Sequence, residues 1–375
     1  MRIIHILKGK ANPETLNGVN KAVHWMATYQ TRLGHDVEVW GLSASMTLPP
    51  HLREYSLRIF PVTRLRWTLG KEIKAALACL DSGAWVHFHS VYILEYPAIA
   101  RVLKIREINY SITPHNGYAA GVFKKSPLKK HLYVALREAK FLRNAAWIHA
   151  IGKSEIFDIL RIAPHARVVL FPNGQMPLVE RPAAAPPQAE RPLIGFCGRL
   201  DMHVKGLDYL LEGFAAYKAK GGKGELWMIG DGKDRALLER KAAEGSAQSQ
   251  VRFLGAKYGE EKLDFLAGFD VFIHCSRWEG LPTACLEAAS LRRPLLVSRE
   301  TNLAEYVEQS GAGLVLDETS AAGIERALKR VQQLYENNHL RPMGENARQL
   351  IENEFQWEKN ARSFIAAIAA SGHAV

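Results

Sequence analysis

Short apolar runs that end in polar residues recur along the chain, with helical segments between them. Arg2 to Leu7 reads as a strand. Val19 to Leu33 reads as a helix that Gly34 ends as a C-cap glycine. Asp36 to Trp40 is the next strand, with Val37 and Val39 on one face. Trp85 to His89, Asn109 to Thr113 and Trp147 to Ile151 are further strands, and Lys129 to Leu142 is helical. A second series follows, with strands at Leu193 to Cys197, Glu225 to Ile229, Val251 to Leu254, Val271 to Cys275 and Pro294 to Val297. An amphipathic helix over Trp357 to Ala370 closes the chain. Short strands spaced by helices mean parallel sheets. The fold class is therefore α/β, with two Rossmann-like, doubly wound domains facing across a cleft. Ligands of such sheets bind at the carboxyl ends of strands. Residues 1–176 form the first domain and 193–355 the second. The linker 177–192 is rich in proline and alanine, and proline suits neither a helix interior nor a sheet ladder.

The length of 375 residues fits two cores, and an apolar content of 47% fits a folded soluble protein. The most apolar stretch, Ala84 to Ala100, carries His87, His89, Glu95 and Pro97, so no transmembrane helix is expected. The first residues read as a strand rather than a signal peptide. Cys79, Cys197, Cys275 and Cys285 are scattered without metal-type pairing, which suits reduced thiols and a cytoplasmic setting. The net charge of +11 is uneven: residues 1–180 carry 24 Lys and Arg against 12 Asp and Glu, and the remainder is nearly balanced. An anionic partner or a solvated face accounts for such an excess.

The strongest local signal is Ser276-Arg-Trp-Glu-Gly-Leu-Pro-Thr-Ala-Cys-Leu-Glu287. A buried strand ends, a loop carries Glu279, Gly280, Leu281 and Pro282, and a helix starts near Thr283, which could cap it. The helix N-terminus offers free amides and a positive dipole end, and so an anion site. Glu279 precedes the helix and Glu287 lies inside it. Two carboxylates at different depths beside an anion site suit a ligand with hydroxyls on either side of a phosphate, such as a nucleotide sugar. Arg199 and Lys205 follow the first strand of the second domain, flanked by Gly198 and Gly206. Two fixed cations there would stabilise the charge that develops on a departing diphosphate. No Asp-x-Asp motif occurs, so neither a metal nor any other cofactor is expected. In the first domain, Asn17-Gly18-Val19 opens a helix, and Gly18 lets a phosphate approach the backbone. The full dinucleotide fingerprint is missing.

The segment from Glu279 to Glu287 resembles the Glu-x7-Glu signature of retaining glycosyltransferases of family 4, which have the GT-B fold. The likeness continues through Gly198-Arg-Leu-Asp-Met-His-Val-Lys-Gly206, Ile229-Gly-Asp-Gly232, Phe253-Leu-Gly255, Phe171-Pro-Asn-Gly174 and Thr301-Asn302…Glu305. The resemblance implies that Glu287 holds the ribose hydroxyls and Glu279 those of the donor sugar. Backbone amides from Gly280 to Thr283 would touch sugar or phosphate, and the strand end at Phe253 to Gly255 would border the base. Thr113-Pro-His-Asn-Gly117 ends a strand where the family commonly has a histidine, which places His115 under the donor sugar. Asn116 before Gly117 departs from the family's pattern, as does Asn17 in place of a glycine. His87 and His89 flank Phe88 at another strand end. Both read as satisfied structural histidines, with His89 a candidate for the acceptor side. The resemblance further implies retention by front-face displacement, and that residues 356–375 form a helix crossing back to the first domain.

The expected partners are a nucleotide-sugar donor, GDP-mannose or a UDP-hexose, and a glycan or glycolipid acceptor on a lipid carrier. The basic first half, above all Phe123-Lys-Lys-Ser-Pro-Leu-Lys-Lys-His-Leu-Tyr133, would suit peripheral attachment to an anionic membrane surface. Two other readings weigh less. A nucleotide-sugar 2-epimerase needs acid and base groups at a neighbouring sugar carbon, and no such set is found. A nucleic-acid partner would need a groove-reading helix or a stacking sheet, and neither motif is present.

Overall fold

The structure is a computed structural model that describes all residues except 16, 64, 66, 67, 120–131, 177, 179–188, 246 and 373–375. Most of the expected linker and of the basic Phe123 to Tyr133 segment lies outside the described residues. The chain forms two units, residues 1–174 with 357–375, and residues 175–356. Among the described residues no helix is long and apolar enough to cross a membrane.

The first unit is built on the strands β1 (Arg2–Lys8), β2 (Asp36–Ser43), β3 (Ser56–Pro61), β4 (Ala84–His89), β5 (Tyr110–Thr113), β6 (Trp147–Ala150) and β7 (Val168–Leu170). They pair in the order β3-β2-β1-β4-β5-β6-β7, all parallel. In the second unit β8 (Leu193–Cys197), β9 (Glu225–Ile229), β10 (Val251–Gly255), β11 (Val271–His274), β12 (Leu295–Val297) and β13 (Gly313–Val315) pair in parallel as β10-β9-β8-β11-β12-β13. Strand order reverses between β1 and β4 in one sheet and between β8 and β11 in the other. Such reversals leave a crevice beyond the carboxyl ends of the two strands.

Parallel strands covered by helices on both faces bury every side chain, so they read as apolar runs rather than as an alternation. β4, β8 and β9 are buried throughout. In β2 the six positions from Val37 to Leu42 are all buried, Val37 and Val39 among them. The helix expected over Lys129 to Leu142 is different where it is described. Val134–Glu138 has π-helical geometry and continues into the α-helix Ala139–Arg143.

Among the helices, α1 (Gly18–Arg32) and α2 (Lys153–Ile162) belong to the first unit. The second unit contains α3 (Met202–Lys205), α4 (Leu207–Ala219), α5 (Gly259–Gly268) and α6 (Thr283–Ser290). The last helix, α7 (Trp357–Ala369), belongs to the first unit and packs beside α1. Its Phe364 ring lies 4.8 Å from His87, 5.1 Å from Trp147 and 5.7 Å from His5, centroid to centroid. Where this helix begins, Trp357 packs against Gly174, and a β-carbon there would lie 2.6 Å from the indole ring and from the Trp357 nitrogen. Neither neighbour can yield without moving the start of α7. We expect Gly174→Ala to cost about 1–3 kcal/mol of unfolding free energy through this overlap. Denaturant titration checks it; an unchanged midpoint would show that the Trp357 contact is loose.

Candidate active site

The loops after β8 and β11 meet at the switch point of the second sheet. After β8, Asp201 caps α3, accepting from the Val204 amide at 3.2 Å, and Lys233 stands 3.3 Å from the same carboxylate. α3 ends at Lys205, and Gly206 turns the chain with φ +64°. A β-carbon at Gly206 would lie 2.2 Å from the Cys275 carbonyl oxygen. This glycine is therefore demanded by the left-handed turn and by packing against the end of β11.

The two loops are laced together. The Arg277 amide donates to the Val204 carbonyl at 3.0 Å. The Arg277 guanidinium pairs with both oxygens of Asp208, at 2.8 and 2.6 Å, and lies over the Tyr209 ring at 3.8 Å. Lys205 is brought onto Oε2 of Glu279 as an ion pair, and His274 donates to the same oxygen from Nε2 at 3.2 Å. Burial opposes the charge on Glu279, but the His274 hydrogen bond and the Lys205 ammonium outweigh it and hold the carboxyl well below its ordinary value. His274 is fully enclosed. Burial, and then the nearby Lys205 charge, lower its pKa, so the ring is neutral and donates through its single N–H.

From Glu279 the loop runs through buried Gly280, half-buried Leu281 and Pro282 into α6. Pro282, not Thr283, occupies the cap position, and among the described residues no side chain caps the helix. Thr283 is the first helical residue, which corrects its expected capping role. Absence of a side-chain cap suits the N-terminus of α6 to an external anion. Asn302 steadies the loop by donating from Nδ2 to the carbonyls of Glu279 and Gly280, at 3.2 and 2.9 Å. One turn into α6, Glu287 is buried, and Lys262 of α5 bridges its two oxygens at 2.6 and 2.7 Å. The two carboxylates of the Glu-x7-Glu segment thus each face a lysine from another element.

Gly198 follows β8 and is half-buried. Arg199 is exposed and forms no ion pair among the described residues, so it is not drawn into the Lys205–Glu279 pair. Gly255 ends β10 with φ +73°, beside a break in the register with β9. Gly18, in the first unit, is the first residue of α1 and is exposed. The preceding Asn17 caps the helix, its Oδ1 accepting from the Val19 amide at 2.9 Å. His115 follows β5 with φ +51°, and Asn116 follows with φ +62°. Two successive non-glycine residues in this region need outside support. Buried Glu155 of α2 supplies it, accepting from the amides of Asn116 and Ile151, and burial raises its pKa to about 7. His115 lines a small cavity with His87, His89, Thr113, Asn173 and Phe364. Burial pushes its pKa down to about 3, so the ring is neutral. His89 is buried and bonded to His115 at 3.0 Å, which makes it a support for that ring.

Lys262, His274, Asn302 and Glu155 were not singled out in the sequence. Each lies on a different element from the group it holds, or reads as an ordinary strand or helix position. Only Asn302 carried a signal, within Thr301-Asn302…Glu305. Among the described residues no cluster of His, Cys, Asp and Glu side chains is arranged to hold a metal ion.

The family model described as Glycosyl transferase 4-like domain matches residues 17–174, and that described as Glycosyl transferases group 1 matches residues 180–350. The chain belongs to the group 1 glycosyltransferases. One relative of this family is the lipopolysaccharide core biosynthesis glycosyltransferase LpsE of Rhizobium meliloti. It is 27% identical over 199 residues, which is 53% of this chain and 55% of LpsE. The chain spans about half the length, or less, of most curated relatives it matches. Among solved structures, sucrose-phosphate synthase from Thermosynechococcus elongatus superposes with a TM-score of 0.74 at 19% identity over 99% of both chains. Anabaena HepE in complex with UDP-glucose gives 0.73 at 14% identity, over 97% of this chain and 99% of that one. Both likenesses agree with the GT-B class, two parallel-sheet Rossmann-like units.

The Lys205–Glu279 pair also has a stability signature. The folded-state pKa of Glu279 lies below its ordinary value of 4.5. The pair's contribution is therefore complete above that value and is lost as pH falls towards the folded one. Lys205→Met is expected to lower the melting temperature at pH 7, with the gap to the parent closing below pH 4.5. Thermal unfolding at stepped pH measures it; a gap independent of pH would assign the loss to packing instead.

Proposed function

We propose that the protein is a retaining glycosyltransferase that moves a hexose from a nucleotide-diphosphate sugar to an acceptor hydroxyl. The observation that carries this reading is the ion pair of Lys205 and Glu279 at the β8/β11 switch point, beside a helix N-terminus without a side-chain cap. The diphosphate would lie against the first amides of α6, with Lys205 and the exposed Arg199 taking up the negative charge that grows as the bond from the anomeric carbon to the phosphate oxygen breaks. These cations do the work without a metal in this scheme. Glu279 is held ionised, so it serves as a hydrogen-bond acceptor for sugar hydroxyls rather than as a general acid. Glu287 would take the ribose hydroxyls, with Lys262 giving way or sharing. Neutral His115 would contact the sugar. The acceptor hydroxyl enters on the face the phosphate leaves, and its proton passes to the departing phosphate.

UDP-glucose in HepE supports a UDP-hexose donor, and the GDP-mannose-dependent alpha-mannosyltransferase of Mycobacterium tuberculosis, 29% identical over 161 residues, keeps GDP-mannose in view. LpsE supports a lipid-linked cell-surface glycan as acceptor. A cytoplasmic site of action at an anionic membrane face fits the basic first half.

The reading predicts that Lys205→Ala lowers turnover by roughly 10²-fold or more, through loss of one transition-state cation. Initial rates with the matched donor and acceptor, and the anomeric configuration of the product by proton NMR, check it. An inverted product would overturn the retaining mechanism, and near-parental turnover in Lys205→Ala would remove the role given to that lysine.

A further inference from the structure

In the first unit, β1, β4, β5 and β6 place polar residues side by side on one face of the sheet. His5 is in register with His87, His87 with Ser111, His89 with Thr113, and Ser111 with Trp147. The layer is buried. Buried polar groups must find partners, and these do so through two separate chains of hydrogen bonds.

Both ends of one chain are fixed. The Trp85 indole, which can only donate, gives to Ser111 Oγ at 2.8 Å. Ser111 then gives to His87 Nδ1 at 2.7 Å, His87 Nε2 to Thr113 Oγ1 at 2.7 Å, and Thr113 to His149 Nδ1 at 2.8 Å. His149 Nε2 ends the chain on the Phe171 carbonyl, which can only accept, at 2.7 Å. Every direction follows from the two ends, so His87 and His149 both carry their proton on Nε2.

The other chain runs to the candidate site. Gln30 Oε1 of α1 lies 2.6 Å from His5 Nε2; His5 Nδ1 lies 2.9 Å from His89 Nε2; His89 Nδ1 lies 3.0 Å from His115 Nε2. Burial keeps all three rings neutral, each with one N–H. An amide oxygen accepts, so His5 holds its proton on Nε2 and accepts at Nδ1. The same assignment passes to His89 and then to His115.

We propose that Gln30, His5 and His89 are positioning residues that set the tautomer of His115, leaving its Nδ1 as a lone-pair acceptor. On the functional reading above, that nitrogen accepts from a hydroxyl of the donor sugar. The chain has a second arrangement, in which the Gln30 amide turns over and one proton moves across each of the three rings, with no net gain of charge. His115 would then present an N–H instead. The amide nitrogen of Gln30 is buried without a hydrogen-bond partner among the described residues, so the amide joins the chain only through its contact with His5. The orientation of the Gln30 amide and the tautomers of the three rings therefore change together.

The test is two-bond proton–nitrogen correlation NMR on the full chain labelled at the histidine ring nitrogens, which reads the tautomer without needing enzymatic activity. In the parent, His5, His89, His115, His87 and His149 should all be protonated on Nε2. In Gln30→Met, where the acceptor oxygen is gone, His5, His89 and His115 should shift together towards Nδ1 protonation. His87 and His149, in the chain with fixed ends, should stay unchanged and report an intact fold. An unmoved His115 beside a changed His5 would overturn the proposal. So would Nδ1 protonation of any of the three rings in the parent, a result that decides the matter even if Gln30→Met fails to fold.

Discussion

One ion pair ties the second unit's site together: Lys205 on Glu279 at the point where the sheet reverses its strand order. Neither charge would be stable there alone. Lys205 is mostly withdrawn from water, and so is the carboxylate it meets, and a buried charge without a partner costs several kcal/mol. The surrounding contacts keep the pair in register. Gly206 lets the chain turn against Cys275, Arg277 ties the β11 loop to α3 and α4, and Asn302 holds the carbonyls of Glu279 and Gly280. The result is a fixed cation and a fixed anion beside the amides of α6. A phosphate and a polyol placed there would meet groups already oriented, which is the condition for electrostatic stabilisation of a developing charge.

The first unit meets a different constraint. A parallel sheet covered on both faces normally carries aliphatic side chains, yet this one buries four histidines, His5, His87, His89 and His149. It does so because each ring nitrogen faces a serine, a threonine, a glutamine, a carbonyl or another histidine, and because Phe364 of α7 closes over the layer. Burial keeps the rings uncharged. An uncharged imidazole is a directed donor and acceptor, so the layer transmits orientation rather than charge.

Much of this was legible in the sequence, for reasons that differ by element. Leu193 to Cys197 and Glu225 to Ile229 end where the strands end, because central parallel strands are apolar runs bounded by glycines and polar residues. The GT-B class followed from the alternation together with motifs whose order is specific. Ser56–Pro61 escaped notice because it is an edge strand with Ser56, Arg58 and Pro61 among its six residues. Within the site, Glu279, Lys205 and Glu287 could be named from their spacing. Their partners could not. Lys262 reaches Glu287 from another helix, and His274 looks like any polar residue closing a strand. The wire from Gln30 to His115 joins residues 85 positions apart, on a helix, two strands and a loop, that only the fold brings together.

The central claim is that the Lys205–Glu279 corner and the first turn of α6 form a nucleotide-diphosphate site. Thermal-shift titration with UDP, GDP and ADP, run on the parent and on Lys205→Ala in parallel, tests it most directly. The account predicts that one of these diphosphates raises the parent's melting temperature in a concentration-dependent way and that the rise is lost or strongly reduced in the variant. Equal stabilisation of both proteins would place the diphosphate elsewhere, and no stabilisation of the parent by any of the three would contradict the site itself.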